Sequence, residues 1–534
     1  MKRRTFLSAR GILAVALLVV GIALSQSAVQ AQKLTPAANP PSGLAGVNDS
    51  YLSGSGFPAG TITGATVSFS STCGGAVIAS GPVIQVAVEG FLRRFEFLIP
   101  STLKTGSYEV SVAGTAGTTP FNTAGSSCSA LSVTASSTTL AACVPTSSLS
   151  VAVSASGPDV NAFVPFGSWG TGTTGIEEVP LEGTGTAKNF ATTGEVNSCA
   201  ANSVTGEIVC VENSTNVDLI NGSTLTTLTS GSNAFASFSG GECENCGVGI
   251  NAANNTAVIA MGYREGSSVA GVQVLNLSSN TFNTPFGMAN DVSEDISIDS
   301  GRNLILSPGE GGVYDLLKIG AGNTLTEYGN SIGGTLDSAA EDCTTGIALS
   351  SYEFSDEIYI TDLTQAKFTA GSPGTWTAPG QFLDLADGGY SAGTCGISSA
   401  PGSGHLGVVT GEYGGSAYSA LKLPSTSGSG TPTLADYAYV SSMPKTPDGN
   451  EFSAGYDPHT VTAYTSPNTS KSYAVFADWG PATDDSSPNY LGVVDLACVL
   501  ALPRTAGTHN VTSTAVLGTG PGTVSSCTRY VAIP

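Results

Sequence analysis

Apolar and polar positions alternate over short runs along most of this chain, and the runs are broken by Gly, Ser, Thr, Asn and Asp. Period-two alternation between turn residues predicts half-buried β-strands, and the chain beyond its first residues shows no sustained helical period. In residues 33–134 the pattern predicts strands at Thr66–Ser70, Val83–Val88, Phe91–Ile99 and Tyr108–Val112. Residues 135–147, rich in Ser, Thr and Ala, read as a linker.

From residue 148 onward the pattern repeats. Candidate first strands begin near Ser148, Asn197, Cys246, Asp295, Thr344, Thr394 and His459, at successive intervals of 49, 49, 49, 49, 50 and 65 residues. Each unit continues with a turn, a second strand rich in β-branched and aromatic residues, and a third strand. The third unit shows the plan as Gly247–Asn251, an Asn254-Asn255 turn, Thr256–Tyr263 and Gly271–Leu277. The second shows it as Gly206–Glu212 and Asn216–Gly222, and the seventh as Ser472–Trp479 and Tyr490–Ala497. A small sheet of three or four short strands buries its faces only against its neighbours, so this period predicts a propeller with one blade per unit. The expected fold is all-β: an N-terminal immunoglobulin-like β-sandwich over 33–134, then a seven-bladed β-propeller over 148–534. A long array of β-sandwiches is the alternative. Arg529–Ile533 reads as the strand that closes the ring, a closure that propellers commonly make by pairing strands from both ends of the chain.

Two resemblances bear on this plan. Ser53-Gly54-Ser55-Gly56-Phe57-Pro58, followed by Phe95–Pro100 and Thr105-Gly106-Ser107-Tyr108-Glu109-Val110, resembles the immunoglobulin-like modules of the IPT/TIG type. That implies a spacer or adhesion module. Thr205-Gly206-Glu207-Ile208-Val209, Asn254-Asn255-Thr256-Ala257-Val258 and Val272-Gln273-Val274-Leu275-Asn276-Leu277 resemble the hairpin and third strand of the YVTN/NHL class of bacterial propeller repeats. The tyrosine-rich second strand of that class is largely missing, so the resemblance implies the architecture and no subfamily.

Charge removes one class of partner. The chain has 40 acidic residues against 18 basic ones, and a nucleic-acid binder needs a basic face to track phosphates. Four of those bases, Lys2, Arg3, Arg4 and Arg10, precede an apolar run from Gly11 to Leu24, and Val29-Gln30-Ala31 supplies small residues. This pattern predicts a signal peptide over 1–31, with Arg3-Arg4-Thr5-Phe6-Leu7 leaving both the general secretory and the twin-arginine route open. The expected destination is periplasmic or extracellular, with no stable membrane insertion after cleavage.

An oxidising compartment favours disulfides among the eleven cysteines. Cys73 and Cys128 are candidates to staple the first region, and Cys498 and Cys527 to fasten the ring's seam. Cys199 and Cys210 flank a turn, Cys343 and Cys395 occupy near-equivalent places in neighbouring units, and Cys243 and Cys246 form one bridge or belong to two. This partition leaves Cys143 over.

Familiar catalytic motifs fail on context. Gly170–Gly175 fits a dinucleotide fingerprint but precedes a strand where that motif needs a helix N-terminus. Cys243-Glu244-Asn245-Cys246 has redox spacing without a helix to lower a thiol pKa. The candidate chemistry lies in acids placed just before the first strands: Glu244, Glu294, Asp295, Glu341, Asp342 and Asp457, the last near His459. Carboxylates converging on a channel mouth repel one another unless a cation or protons intervene, and oxygen ligands suit calcium or another divalent cation. Two functions follow as expectations. One is a secreted, non-catalytic binding protein whose propeller loops hold a protein, glycan or surface partner. The other is a metal-dependent, lactonase-like hydrolase, with a channel cation polarising the substrate and His459 or a rim carboxylate as base.

Overall fold

A computed structural model describes residues 32–533 except 45–48, 84, 90–91, 101, 135–150, 157–158, 167–173, 213–215, 230–246, 262–270, 291–295, 310, 386–391, 399–402, 412–416, 426–429, 453–460, 478–489, 503–515 and 518–524. The described chain is almost wholly β, with a single short α-helix, Leu496–Ala501, among the described residues. It divides into two compact units, the first comprising residues up to Ser42 and Ser50–Val133 and the second Gly43–Asp49 and Thr134–Pro534.

In the first unit ten strands form one sheet, eight in a single hydrogen-bonded order with Val77–Pro82 at one edge and Gln85–Glu89 at the other, and two short strands paired off that path. Its core is aromatic: Phe69, Phe95 and Phe97 are fully buried, and Phe57 packs on Phe95 and edge-on against Phe121, at centroid distances of 4.8 and 5.2 Å. Cys73 and Cys128 form a disulfide. Tyr108, near the start of strand Gly106–Ala116, donates its hydroxyl to the Lys104 carbonyl at 2.8 Å.

Among its described residues the second unit holds seven small sheets of four to six strands. Their first strands are Ala152–Ser156, Val196–Ala201, Val248–Asn251, Ser297–Asp299, Leu336–Asp342, Ala392–Ser398 and Val461–Thr465. From each, the chain runs through antiparallel neighbours. Second strands such as Ile208–Glu212, Leu304–Pro308 and Leu406–Gly411 are buried at every position. A strand covered on both faces has no reason to alternate, so these segments read as continuous apolar runs.

The sheets pack in sequence. Separate apolar clusters join first to second, second to third, third to fourth, fourth to fifth, fifth to sixth and sixth to seventh. A further cluster joins the seventh back to the first, bringing Val160, Ala162 and Val179 against Val475, Leu491 and Val493. The outer edge of the fourth sheet is covered by a hairpin, Lys367–Thr369 with Gly374–Thr377, borrowed from the chain of the fifth sheet and paired in parallel with Leu325–Ser331. Trp376 anchors it, donating Nε1–H to the Tyr314 carbonyl at 2.7 Å.

Two sequence expectations need correction here. The fifth sheet begins at Leu336, not near Thr344, because Asp337, Glu341 and Asp342 make a buried strand look like a polar loop. The C-terminal strand, Thr528–Ala532, pairs with Tyr490–Asp495 as the fourth strand of the seventh sheet. All described strands of that sheet therefore come from the C-terminal part of the chain, and its Cys498–Cys527 disulfide ties this last strand to the helix that follows Asp495.

Candidate functional site

The polar chemistry that the structure describes is concentrated where first strands turn into second strands. Five of these hairpins share one turn: an Asn, Asp or Ser, three residues, then a residue in the left-handed region. The pairs are Asn202 with Gly206, Asn251 with Asn255, Asp299 with Asn303, Asp342 with Gly346, and Ser466 with Ser470, and the closing residues have φ between 53° and 78°. In four of them the opening side chain holds the turn by accepting backbone N–H bonds. Asn202 Oδ1 accepts from Val204 at 3.1 Å, Asp299 Oδ1 from Arg302 at 2.9 Å, Asp342 Oδ1 from Thr344 at 3.0 Å, and Ser466 Oγ from Thr469 at 3.1 Å.

These hairpins also bond to one another. Asn202 Nδ2 donates to Asn255 Oδ1 at 2.7 Å, and Asn251 Nδ2 to Asn303 Oδ1 at 3.2 Å. Arg302, paired with Asp299 at 2.7 Å, reaches the Cys343 carbonyl at 3.4 Å. Asp342 Oδ2 lies 2.5 Å from His405 Nδ1, with both side chains buried, and His405 itself holds φ 56° before the second strand of the sixth sheet. Ser398 meets Thr465 at 2.5 Å, and Ser472 donates to the Ser403 carbonyl at 2.5 Å. A belt of side-chain bonds thus runs from the second sheet to the seventh.

Burial sets the electrostatics. Burial would push the Asp342 carboxyl up, but the His405 ring and the bonds from His405 and Thr344 outweigh it and hold the group below its usual range. Glu341, one residue away, is raised well above its usual range by burial and then by the charge of Asp299, against a lowering bond from Ser297. Asp299 is raised by burial, which Arg302 only partly offsets. In the second sheet, burial lifts Asp218 to about 7, although Thr227 donates to it at 2.5 Å.

Two of these raised groups, Asp218 and Glu341, give testable pH effects. A carboxyl whose pKa rises on folding contributes stability at low pH and loses it as pH climbs through the folded value. Asp218→Asn should therefore flatten the decline in stability between about pH 4 and pH 7, read by urea unfolding across that range. Glu341→Gln should be more stable than the parent at neutral and alkaline pH, with the advantage shrinking as pH is lowered. A Gln variant that is less stable at every pH would show that the carboxylate is favourably bound in the fold.

Of the acids that the sequence grouped, the structure describes two. Glu341 and Asp342 end the first strand of the fifth sheet, at the hairpin side, instead of preceding it. Glu244, Glu294, Asp295, Asp457 and His459 lie outside the described residues. Among the described residues no three His, Cys, Asp or Glu side chains are grouped to hold a metal ion. Asp342 and His405 make a carboxylate–imidazole contact of the kind that orients the base of a hydrolytic triad, but the neighbouring Ser403 hydroxyl accepts from the His405 backbone N–H at 3.2 Å. The pair is bound into turn backbone.

The cysteines divide similarly. The pairs Cys73–Cys128, Cys199–Cys210 and Cys498–Cys527 form as the sequence suggested. Cys343 does not pair with Cys395: Cys343 is in a disulfide, and Cys395 is a buried thiol. The shifted start of the fifth sheet explains this, since Cys343 lies in the hairpin beyond Asp342 whereas Cys395 lies within its strand, with Sγ 3.3 Å from Ser338 Oγ. Cys143, Cys243 and Cys246 lie outside the described residues.

His405, Asp299, Arg302 and Glu182 were not singled out by sequence reasoning. The recurring Asx-or-Ser, three residues, Gly-or-Asn spacing marks most of these hairpins and is visible in the sequence at 202, 251, 299 and 342. No helix among the described residues is long and apolar enough to cross a membrane, and the disulfides fit an oxidising compartment.

No protein-family model matches this chain. No curated protein matches it either. Among solved structures, a chain of the "Crystal Structure of Mitotic Checkpoint Complex" aligns with 62% of this chain and 86% of its own, at 11% identity and a TM-score of 0.40. At that level the likeness carries no conclusion about fold or function.

Proposed function

We propose that this chain is an exported, non-catalytic binding protein: a seven-bladed β-propeller preceded by an immunoglobulin-like spacer, holding a protein or glycan partner with the loops of one propeller face. Seven sheets whose apolar clusters lead from each to the next and from the seventh to the first support the propeller. The Tyr108 hydroxyl bond to a carbonyl four residues upstream resembles the tyrosine corner of immunoglobulin-like sandwiches and supports the spacer. The three disulfides support export, by either the general secretory or the twin-arginine route, to the periplasm or the cell exterior.

The observation that carries the binding reading is the difference between the two ends of the strands. At the hairpin end a belt of polar side chains bonds neighbouring sheets together. The opposite ends launch the long connections 229–247, 262–270, 441–460 and 478–489, rich in Gly, Ser, Thr and Asn. Loops on a rigid scaffold are where recognition concentrates. Glu341 and Asp342 are committed to the hairpins, so the lactonase-like alternative rests only on residues outside the described set.

Glycan and protein panels probed with the purified chain test this reading, alongside a variant in which 478–489, the connection between Ala477 and Tyr490, is replaced by a Gly-Ser linker. Binding lost in the variant at an unchanged melting temperature is the expected result. Lactone hydrolysis that is abolished by chelator and restored by calcium would replace the binding reading with the enzymatic one.

A further inference from the structure

The hairpin belt leaves out the first sheet, and the interface of that sheet with the seventh carries a different link. The turn used elsewhere places four residues or more between the first and second strands, but in the first sheet Ser156 pairs directly with Asp159 across only two residues. The seventh sheet therefore has no hairpin of that kind to meet. Glu182 stands in its place, at the end of strand Gly175–Glu182 and opposite Val160. Its carboxylate accepts from Tyr464 Oη at 3.0 Å, Ser466 Oγ at 2.7 Å and Asn468 Nδ2 at 2.9 Å, all from the seventh sheet. Ser466 is also the residue that opens the seventh sheet's own hairpin turn, so one bond joins the turn to the acceptor.

We propose that Glu182 is a clasp on the seam between the first and seventh sheets, a conformational device that sets how often this interface opens. Bonds to an ionised acceptor are roughly twice as strong as neutral ones, and three donors converge on a single side chain. Arg529 adds a second tie across the same seam, donating to the Leu181 carbonyl at 3.1 Å. The other interfaces are joined by a continuous chain segment as well as by packing. The seam has no such covalent continuity, so it is the interface at which a polar clasp matters most. The proposal rests on reading the seven sheets as a ring.

Hydrogen exchange by mass spectrometry on the full chain separates the two ideas. Peptides covering 160–166 and 472–477 report the seam, and 256–261 with 271–276 serve as an internal control. In wild type, seam peptides as protected as the control support the ring; seam peptides exchanging like exposed edges overturn both the ring and the clasp. Glu182→Ala should speed exchange of both seam peptides by roughly tenfold and leave the control unchanged, with Glu182→Gln giving a smaller effect. No change at the seam, or equal acceleration everywhere, overturns the clasp while leaving the ring standing. Should Glu182→Ala fail to fold, Ser466→Ala combined with Asn468→Ala removes two of the three donors and is read in the same way.

Discussion

Asp342→Ala is expected to destabilise the second unit by about 3–5 kcal/mol, the cost of breaking a buried ion pair from one side. The substitution strips His405 of its carboxylate in a site where both side chains are buried. It also removes the acceptor that holds Thr344 in the turn, and so loosens the hairpin at both ends. Asp342→Asn keeps an oxygen for the turn and should lose less. Urea unfolding followed by tryptophan fluorescence reads the effect cleanly, because Trp169, Trp376 and Trp479 all lie beyond residue 134. The pH dependence has a definite sign: a carboxyl held below its ordinary range contributes stability above that range and loses it as pH falls through the folded value. The gap between wild type and Asp342→Ala should therefore close in acid. A loss below about 1 kcal/mol, the level of an exposed pair, would show that the pair does not hold the fifth and sixth sheets together.

Deleting Arg529–Pro534 should be comparably damaging for a different reason. Thr528–Ala532 supplies the whole outer edge of the seventh sheet, paired with Tyr490–Val494. Tyr530 packs against the cluster between the sixth and seventh sheets, and Val531 and Ile533 against the cluster between the seventh and first. Partial burial of these three side chains is worth about 3–5 kcal/mol together. The exposed Tyr490–Asp495 edge then becomes a template for pairing between molecules. The truncated chain should melt lower and scatter light on heating. Melting at the wild-type temperature would mean that the last strand is dispensable to the seam.

The parts that were legible in the sequence and the parts that were not divide along a physical line. Several strand positions outside the fifth unit were readable because turn residues bound the run: Thr256, Gly271 and Ser472 begin strands where the pattern places them. The fifth unit misled because carboxylates are unexpected inside a buried strand, and there Glu341 meets Ser297 and Asp342 meets His405. Those neighbours come from other sheets, and periodicity within one segment contains no information about them. Cys199 and Cys210 were readable as a pair because they face each other in one hairpin register. Cys343 and Cys395 depended on the misplaced strand, so the error passed from register to bridge. Glu182 was invisible because its partners lie more than 280 residues away.

The central claim is that the seven sheets close on themselves, and a single distance tests it. Spin labels at Thr184 and Thr469 flank the Glu182–Asn468 contact on the first and seventh sheets. In a closed ring the two labels sit within about 20 Å, the span of neighbouring packed sheets plus the label arms. In an open array, six sheet-to-sheet steps of about 10 Å would set them roughly 60 Å apart. Double electron–electron resonance on the doubly labelled chain should give one narrow distribution at the short distance. A distribution centred near the long distance would contradict the closed ring and, with it, the propeller reading of this chain.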